Sequence, residues 1–261
     1  MAPFAAKEAP KDMPAYDFRT PRLYLDAPLQ GGATVALGTG QVNYLQNVLR
    51  LRPGAGVLIF NGRDGEWLGA LAEAGKRKLS VTIQECVRQQ VVGANLHYLF
   101  APLKHARLDY VVQKAVELGV SRLQPVSTRH TQAARVNLDR MEANVIEAAE
   151  QCGILTLPDV AAPITLDQMI AAREPERLLV FCDEDAPVQD PVAALTAARS
   201  SCGQPLSVLI GPEGGFAEDE RALLMRQPNI VRLALGPRIL RADTAAVAAL
   251  ALVGAVLGDW R

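Results

Sequence analysis

The run Leu206-Ser207-Val208-Leu209-Ile210-Gly211-Pro212-Glu213-Gly214-Gly215 decides how this chain folds. Its apolar, partly β-branched first half stops abruptly at a glycine- and proline-bearing turn, which predicts a buried strand emptying into a tight loop. A charged, helix-forming segment follows over Glu218–Arg226. Gln227-Pro228-Asn229 ends it, because the residue before a proline is pushed out of the α region. A second strand, Ile230–Leu235, then empties into Gly236-Pro237-Arg238-Ile239-Leu240-Arg241-Ala242-Asp243-Thr244, and a small-residue helix follows over Ala245–Leu257. In open α/β sheets ligands sit at the carboxyl ends of strands, so two such loops in succession predict a ligand site. Their glycines admit a close backbone approach and their prolines stiffen the loops beforehand. Arg238 to Arg241 mix cationic and apolar residues where a plain turn would be small and polar. Neither G-x-x-x-x-G-K-[ST] nor G-x-G-x-x-G is spelled by the pair, so the known nucleotide loops fit poorly.

Upstream, strands alternate with amphipathic helices. Leu96–Ala101, Arg122–Val126 and Arg177–Cys182 read as strands, and His105–Leu118 carries Leu108, Val111, Val112, Ala115 and Leu118 at helical spacing with Gly119 as its stop. Asn137-Leu138-Asp139 opens a helix ending near Gln151, with Gly153 beyond it, and Asp190-Pro191 sets an N-cap and N1 pair. Alternation of this kind means a mainly parallel sheet. The first third differs. Arg22–Leu25, Val57–Phe60, Glu66–Leu71 and Leu79–Ile83 read as strands, Asn61-Gly62-Arg63-Asp64-Gly65 as a hairpin turn, and Val42–Leu51 as a helix closed by Pro53-Gly54. Val48 and Leu49 read as core residues of that helix. Short strands with one helix suggest a small β-barrel.

Composition sets wide bounds. The chain has 261 residues, is 49% hydrophobic and has a formal charge of −1, so a sizeable core is available and no global basic field advertises nucleic acid. Residues 1–90 carry 11 Lys and Arg against 8 Asp and Glu, leaving the remainder acidic. Cys86, Cys152, Cys182 and Cys202 are widely spaced, which favours reduced, mostly buried thiols in a cytosolic protein over disulfides. No metal is expected, since His97, His105 and His130 show no ligand spacing. Met1–Asp17 lacks an apolar core and reads as a flexible tail, not a signal peptide. Ala245–Leu257 is too short to span a bilayer, so a cytoplasmic protein without membrane contact is expected.

Leu-Ile-Gly-Pro-Glu-Gly-Gly-Phe at 209–216, followed by Leu-Gly-Pro-Arg-Ile-Leu-Arg-Ala-Asp-Thr-Ala at 235–245, resembles the RsmE family. Its members are small-subunit ribosomal RNA (uracil-N3) methyltransferases of the SPOUT class that use S-adenosylmethionine. Further family patterns lie at Arg19-Thr20-Pro21-Arg22, Val48-Leu49-Arg50, Lys104 with Arg107, Gln113-Lys114, Glu117-Leu118-Gly119-Val120 and Glu147-Ala148-Ala149-Glu150-Gln151. The resemblance runs from Arg19 onward. It implies a tail over 1–18, a PUA-like RNA-binding β-barrel over 19–90, and a SPOUT methyltransferase domain over 91–261 whose mainly parallel sheet contains a trefoil knot. Three departures stand out: His105-Ala106 replaces a usual Gly-acid pair, Ile154 stands where arginine is common, and Asp243 replaces a frequent glutamate.

The resemblance implies a cofactor pocket built from Gly211, Glu213, Gly214, Gly215, Leu235, Gly236, Ile239, Leu240, Thr244 and Ala245. Arg19, Arg22, Arg50 and Arg52, with Lys104 and Arg107, would hold RNA phosphates; each arginine of the small barrel reads equally well as a solvated rim. Arg241 is the candidate for stabilising an N3-deprotonated uracil. Asp243 could orient Arg241 or accept a proton, and its other reading, an N-cap of the last helix together with Thr244, is the stronger. Glu213 would organise its loop. The expected partners are small-subunit ribosomal RNA, free or in the assembled subunit, and a second copy of the chain. Ala245–Leu257 is apolar all round, which asks for burial on every side. Ala249 and Val253 are candidates for the shared face. The rival reading is a non-catalytic RNA-binding or ribosome-assembly protein that keeps these loops as structure.

Overall fold

Two sheets carry the chain in the computed structural model, which describes residues 19–75, 78–132, 135–187, 190–199 and 203–260. The expected tail over 1–18 and Cys202 lie outside the described residues. The first sheet is built from β1 (Arg22–Tyr24), β2 (Thr34–Ala36), β3 (Gly56–Phe60), β4 (Glu66–Glu73) and β5 (Leu79–Arg88), in the order β1-β3-β4-β5-β2. Only the β1–β3 pair is parallel. Residues from both edges, Leu23 and Leu25 on one side and Val35, Val81 and Ile83 on the other, meet in a single core. The sheet therefore curls on itself. Among the described residues no ladder joins β1 to β2, so the expected barrel is open at that seam.

Between β2 and β3 lies α1 (Thr39–Asn43), which runs directly into a π-helical turn over Tyr44–Val48. The wider turn, with the Leu49 N–H donating to the Tyr44 carbonyl at 2.9 Å, changes which residues face inward. Leu45 is fully buried and Leu49 packs against the core, whereas Val48 is 62% exposed. Reading Val48 as core is thus corrected. The helix also stops short of Leu51, because Arg50 takes a left-handed φ of 56° and turns the chain away.

The second sheet holds β6 (Leu96–Phe100), β7 (Arg122–Ser127), β8 (Asp159–Val160), β9 (Ile164–Thr165), β10 (Leu178–Cys182), β11 (Leu206–Ile210) and β12 (Ile230–Leu233). Its order is β12-β10-β11-β6-β7-β8, with β9 also on β7, and every pair is parallel. β10 and β11 are buried at every position, as central strands covered by helices must be. The covering helices are α2 (His105–Glu117), α3 (Leu138–Cys152), α4 (Leu166–Ala171), α5 (Pro191–Ala197), α6 (Glu218–Met225) and α7 (Ala242–Val256). Their ends follow local chemistry. The Asn137 side chain accepts from the Arg140 N–H, Gly153 closes α3 at φ 68°, and Asp190 accepts from the Val192 N–H ahead of Pro191.

Because all strands are parallel, β6, β7, β10, β11 and β12 end on one edge. From β6 the chain goes outward to β7 and β8, while β10 and β12 lie beyond β11. The β11–β6 junction is therefore the point where strand order reverses, the usual place for a ligand.

α7 begins at Ala242, earlier than its apolar run predicts, and its N-cap is Arg241. Asp243 and Thr244 consequently lie inside the first turn and do not cap it, which corrects that reading. The Asp243 carboxylate accepts from the Thr244 N–H at 2.9 Å, and its charge suits the positive end of the helix. α7 packs on α2, α5 and β11. Ala246, Ala249, Leu250 and Val253 are fully buried against these elements, so Ala249 and Val253 face their own subunit. The opposite stripe remains open to a partner: Val247, Ala248, Ala251 and Leu252 are half-buried and Ala255 is exposed.

At the seam between the sheets, Arg22 points inward. Its guanidinium pairs with Glu66, donates to the carbonyls of Ala149 and, at 2.7 Å, of Ile154, and lies 3.7 Å from the centroid of the Phe60 ring. Arg88 joins the cluster, reaching Glu66 at 3.3 Å and the Gly153 carbonyl at 2.9 Å. Glu150 accepts from the Tyr24 N–H at 2.8 Å, and burial raises its carboxyl above the usual range. These carbonyls lie at and just beyond the end of α3, where cations are favoured. Arg22 is thus taken off the RNA-binding surface: it is a buried strut between the small sheet and the end of α3.

Candidate functional site

The loops after β10, β11 and β12 enclose a cleft of about 680 Å³ on the common edge. Of the expected cofactor residues, Gly211, Glu213, Gly214, Leu235, Gly236, Ile239, Leu240 and Ala245 line it, as does Arg241. Gly215, Asp243 and Thr244 stand outside the lining. Three glycines explain how the loops close up. A side chain on Gly211 would strike the Phe216 ring, which folds beneath the loop and packs edge-on against Phe181 with centroids 4.9 Å apart. Gly215 has φ 68° and a carboxylate oxygen of Glu184 where a Cβ would sit, and Gly236 has φ 99° with open space around it. At Gly236 only conformation forbids a side chain; at Gly211 only space does.

Beneath the cleft lies a charge cluster whose role the sequence alone did not disclose. The Asp183 carboxylate, fully buried at the end of β10, receives Arg221 of α6 at 3.1 Å and Arg232 of β12 at 2.6 Å. Arg221 also reaches Glu184 at 3.2 Å and Asp185 at 2.8 Å. One carboxylate therefore fixes α6 and β12 relative to β10, and with them the loops that these elements carry. Three consecutive acids at a strand's carboxyl end were the available signal; their arginine partners, far along the chain, were not. Cys182 also lines the cleft, but burial, aided by Asp183, pushes its thiol up to about 12, so it stays an inert thiol.

A second cavity of about 340 Å³ opens on the other side of the Gly211–Gly215 turn, lined by Pro102, Leu103, Lys104, His130 and Gln132. Arg107, Pro212 and Glu213 belong to both cavities, and Arg107 and Glu213 form an ion pair at the divide. Lys104 and Arg107 are placed there by the short link from β6 into α2, whose N-cap is Lys104. Of the other expected RNA residues, Arg19 and Arg50 are exposed at the small sheet. His130, on the loop after β7, holds the glycine turn: its Nδ1 is 3.1 Å from the carbonyl oxygens of both Gly214 and Gly215. The neighbouring Arg129 ties the same loop to α6 through Asp219 at 2.5 Å and a backbone N–H to Glu220 at 2.8 Å. Among the described residues no helix is long and apolar enough to cross a membrane, and no three His, Cys, Asp or Glu side chains are grouped to hold a metal ion.

Comparison with known proteins agrees with this architecture along its length. Residues 92–254 match the model of an RNA methyltransferase domain and residues 37–84 that of an RNA methyltransferase PUA domain. The ribosomal RNA small subunit methyltransferase E of Rickettsia conorii is 32% identical over 233 residues, covering 89% of this chain and 94% of that protein. Its counterpart from Synechocystis is 33% identical over 230 residues, covering 86% and 74%. The crystal structure of the Neisseria gonorrhoeae enzyme bound to S-adenosyl methionine superposes with a TM-score of 0.81 at 28% identity, covering 93% of this chain and 100% of that one. Matched domain by domain and over nearly its whole length, the chain belongs to the RNA methyltransferase family that contains the ribosomal RNA small subunit methyltransferases E.

Proposed function

We propose that the larger cleft binds S-adenosylmethionine and that the enzyme methylates N3 of a uridine in small-subunit ribosomal RNA. The observation that carries this is the cleft itself, built by the glycine loops after β11 and β12 in a fold shared with the S-adenosyl methionine-bound Neisseria enzyme. The lining suits the ligand. The glycine backbones admit a flat adenosine closely, Leu235, Ile239 and Leu240 supply apolar contact, and Glu184 and Glu213 supply negative charge for a cationic ligand. When bound, S-adenosylmethionine supplies an activated methyl group on a sulfonium sulfur. The chain's own part is to exclude water with the apolar loop, to hold the acceptor in line, and to stabilise the developing charge on the uracil with Arg241.

The same reading divides the chain into an RNA-binding unit over 19–90 and a methyltransferase unit over 91–261, with Arg19, Arg50, Lys104 and Arg107 holding phosphates. The trefoil knot and a cytoplasmic place of action go with it. Direct nucleoside analysis tests the activity: protein, S-adenosylmethionine and small-subunit RNA should yield N3-methyluridine. Gly236→Val, which forces a side chain into φ 99°, should abolish cofactor binding in calorimetry and the product with it, while the fold survives. Product formation by that variant at the normal rate would remove this loop from the site.

We further infer a homodimer through the open stripe of α7. Val247, Ala248, Ala251, Leu252 and Ala255 fall at helical spacing on one face, and their small size permits a close two-fold approach. Ala248→Glu should convert the dimer to a monomer in light scattering. An unmodified protein that stays monomeric at micromolar concentration would sink the dimer.

A further inference from the structure

The smaller cavity shares a wall of Arg107, Pro212 and Glu213 with the proposed cofactor cleft and contains a histidine held in a defined way. Nδ1 of His130 faces two carbonyl oxygens, of Gly214 and Gly215, at 3.1 Å each. Carbonyls only accept, so Nδ1 carries the proton. In the neutral ring Nε2 is then a bare acceptor, on a side chain that lines the smaller cavity. The cavity has an apolar base in Pro102 and Leu103, both buried, and donors in Lys104 and Gln132. A flat ring bearing carbonyl oxygens and one acidic N–H is what such a lining would hold.

The geometry points to the smaller cavity as the site of the acceptor nucleobase, with His130 Nε2 as the group that receives its imide proton. This rests on the proposed methylation of uridine N3. The step balances with the residues and ligands already named. The N3–methyl bond forms as the sulfonium–methyl bond breaks, the departing sulfur keeps that bond's electron pair, and the N3 proton passes to Nε2 and from there to solvent. The divide between the two cavities is the Arg107–Glu213 pair, which must part or turn aside for N3 and the methyl group to meet. Asp243, the other candidate for this proton, lines neither cavity.

Several charged groups surround His130. Lys104 at the N-cap of α2, Arg107 within α2 and Glu213 from the loop after β11 line its cavity; Arg129, Asp219 and Glu220 tie down its loop; Glu184 from the end of β10 lies under Gly215. A pH profile must therefore be read beside a variant that changes His130 alone. His130→Asn keeps an amide N–H near the place of Nδ1 and removes Nε2. In the full-length protein we expect turnover to fall by about 10²-fold at neutral pH, far more than its affinity for S-adenosylmethionine or small-subunit RNA changes. The deficit should shrink as pH rises, since hydroxide can then take the proton.

NMR of the free protein supplies a readout independent of turnover. The neutral imidazole of His130 should be the Nδ1–H tautomer. A wild-type rate for His130→Asn across the pH range, a loss that does not vary with pH, or an Nε2–H tautomer would each overturn the assignment of His130. Wild-type product methylated at an atom other than N3 would instead overturn the reading of the acceptor, and this step with it.

Discussion

Glu66→Ala is expected to cost about 3–5 kcal/mol of folding stability, the scale for removing one member of a buried ion pair. Its side chain is 1% exposed and that of its partner Arg22 is 3% exposed. Removing the carboxylate takes away the buried partner of the Arg22 guanidinium, which stays enclosed by α3 carbonyls and the Phe60 ring with the more distant charge of Glu150 beside it. For a chain of this size the melting temperature should fall by roughly 10 °C. Arg88→Ala serves as the comparison. Arg88 is 30% exposed and contributes only the outer half of the cluster, so its loss should cost a fraction of that amount. Thermal unfolding of the two variants side by side decides the matter. Equal and small losses would mean that the cluster is wet and that the seam is held by its apolar contacts alone.

Arg241→Lys is expected to lower turnover by about 10²-fold while leaving cofactor affinity nearly intact, the pattern for a donor used chiefly in the transition state. Arg241 lines the cleft and caps α7 through its backbone only, without a side-chain cap. Its side chain can therefore change while the helix start keeps its geometry. Lysine preserves the charge but not the planar fork that can meet a uracil carbonyl and N3 together. Single-turnover methylation and calorimetry separate the two quantities. Equal losses in both would make Arg241 part of the pocket and not of the transfer.

Much of the fold was legible because it is written in short, local signals. The β11 run, the caps at Asn137 and Asp190 and the glycine stops at Gly119 and Gly153 act within a few residues of themselves, and periodicity finds such things. Of the site, the loop pair was legible for the same reason. What escaped depends on distant partners. Arg22 looked like a phosphate ligand because an N-terminal arginine is normally solvated; only folding brings Glu66 and the end of α3 around it. Asp183 acquires meaning only when Arg221 and Arg232 arrive. His130 lacked every spacing that sequence patterns recognise, since what matters about it is a pair of carbonyls on a loop far along the chain. The π-turn at Tyr44–Val48 misled the helical count and put Val48 on the wrong side.

The Arg22 strut has a mechanical consequence. A seam closed by solvated charges can slide, because water refills each gap; one closed by a guanidinium wedged between a carboxylate, an aromatic face and two carbonyls has no such lubricant. The small sheet, α3 and the α2 packed against α3 are thereby held as one arm, which carries Arg19 and Arg50 beside the small sheet and Lys104 and Arg107 at the start of α2. An RNA gripped at both ends must fit the arm's fixed span or bend to it. On the proposed RNA-binding reading, the protein would act as a gauge, admitting a nucleotide by its distance and angle from a second contact.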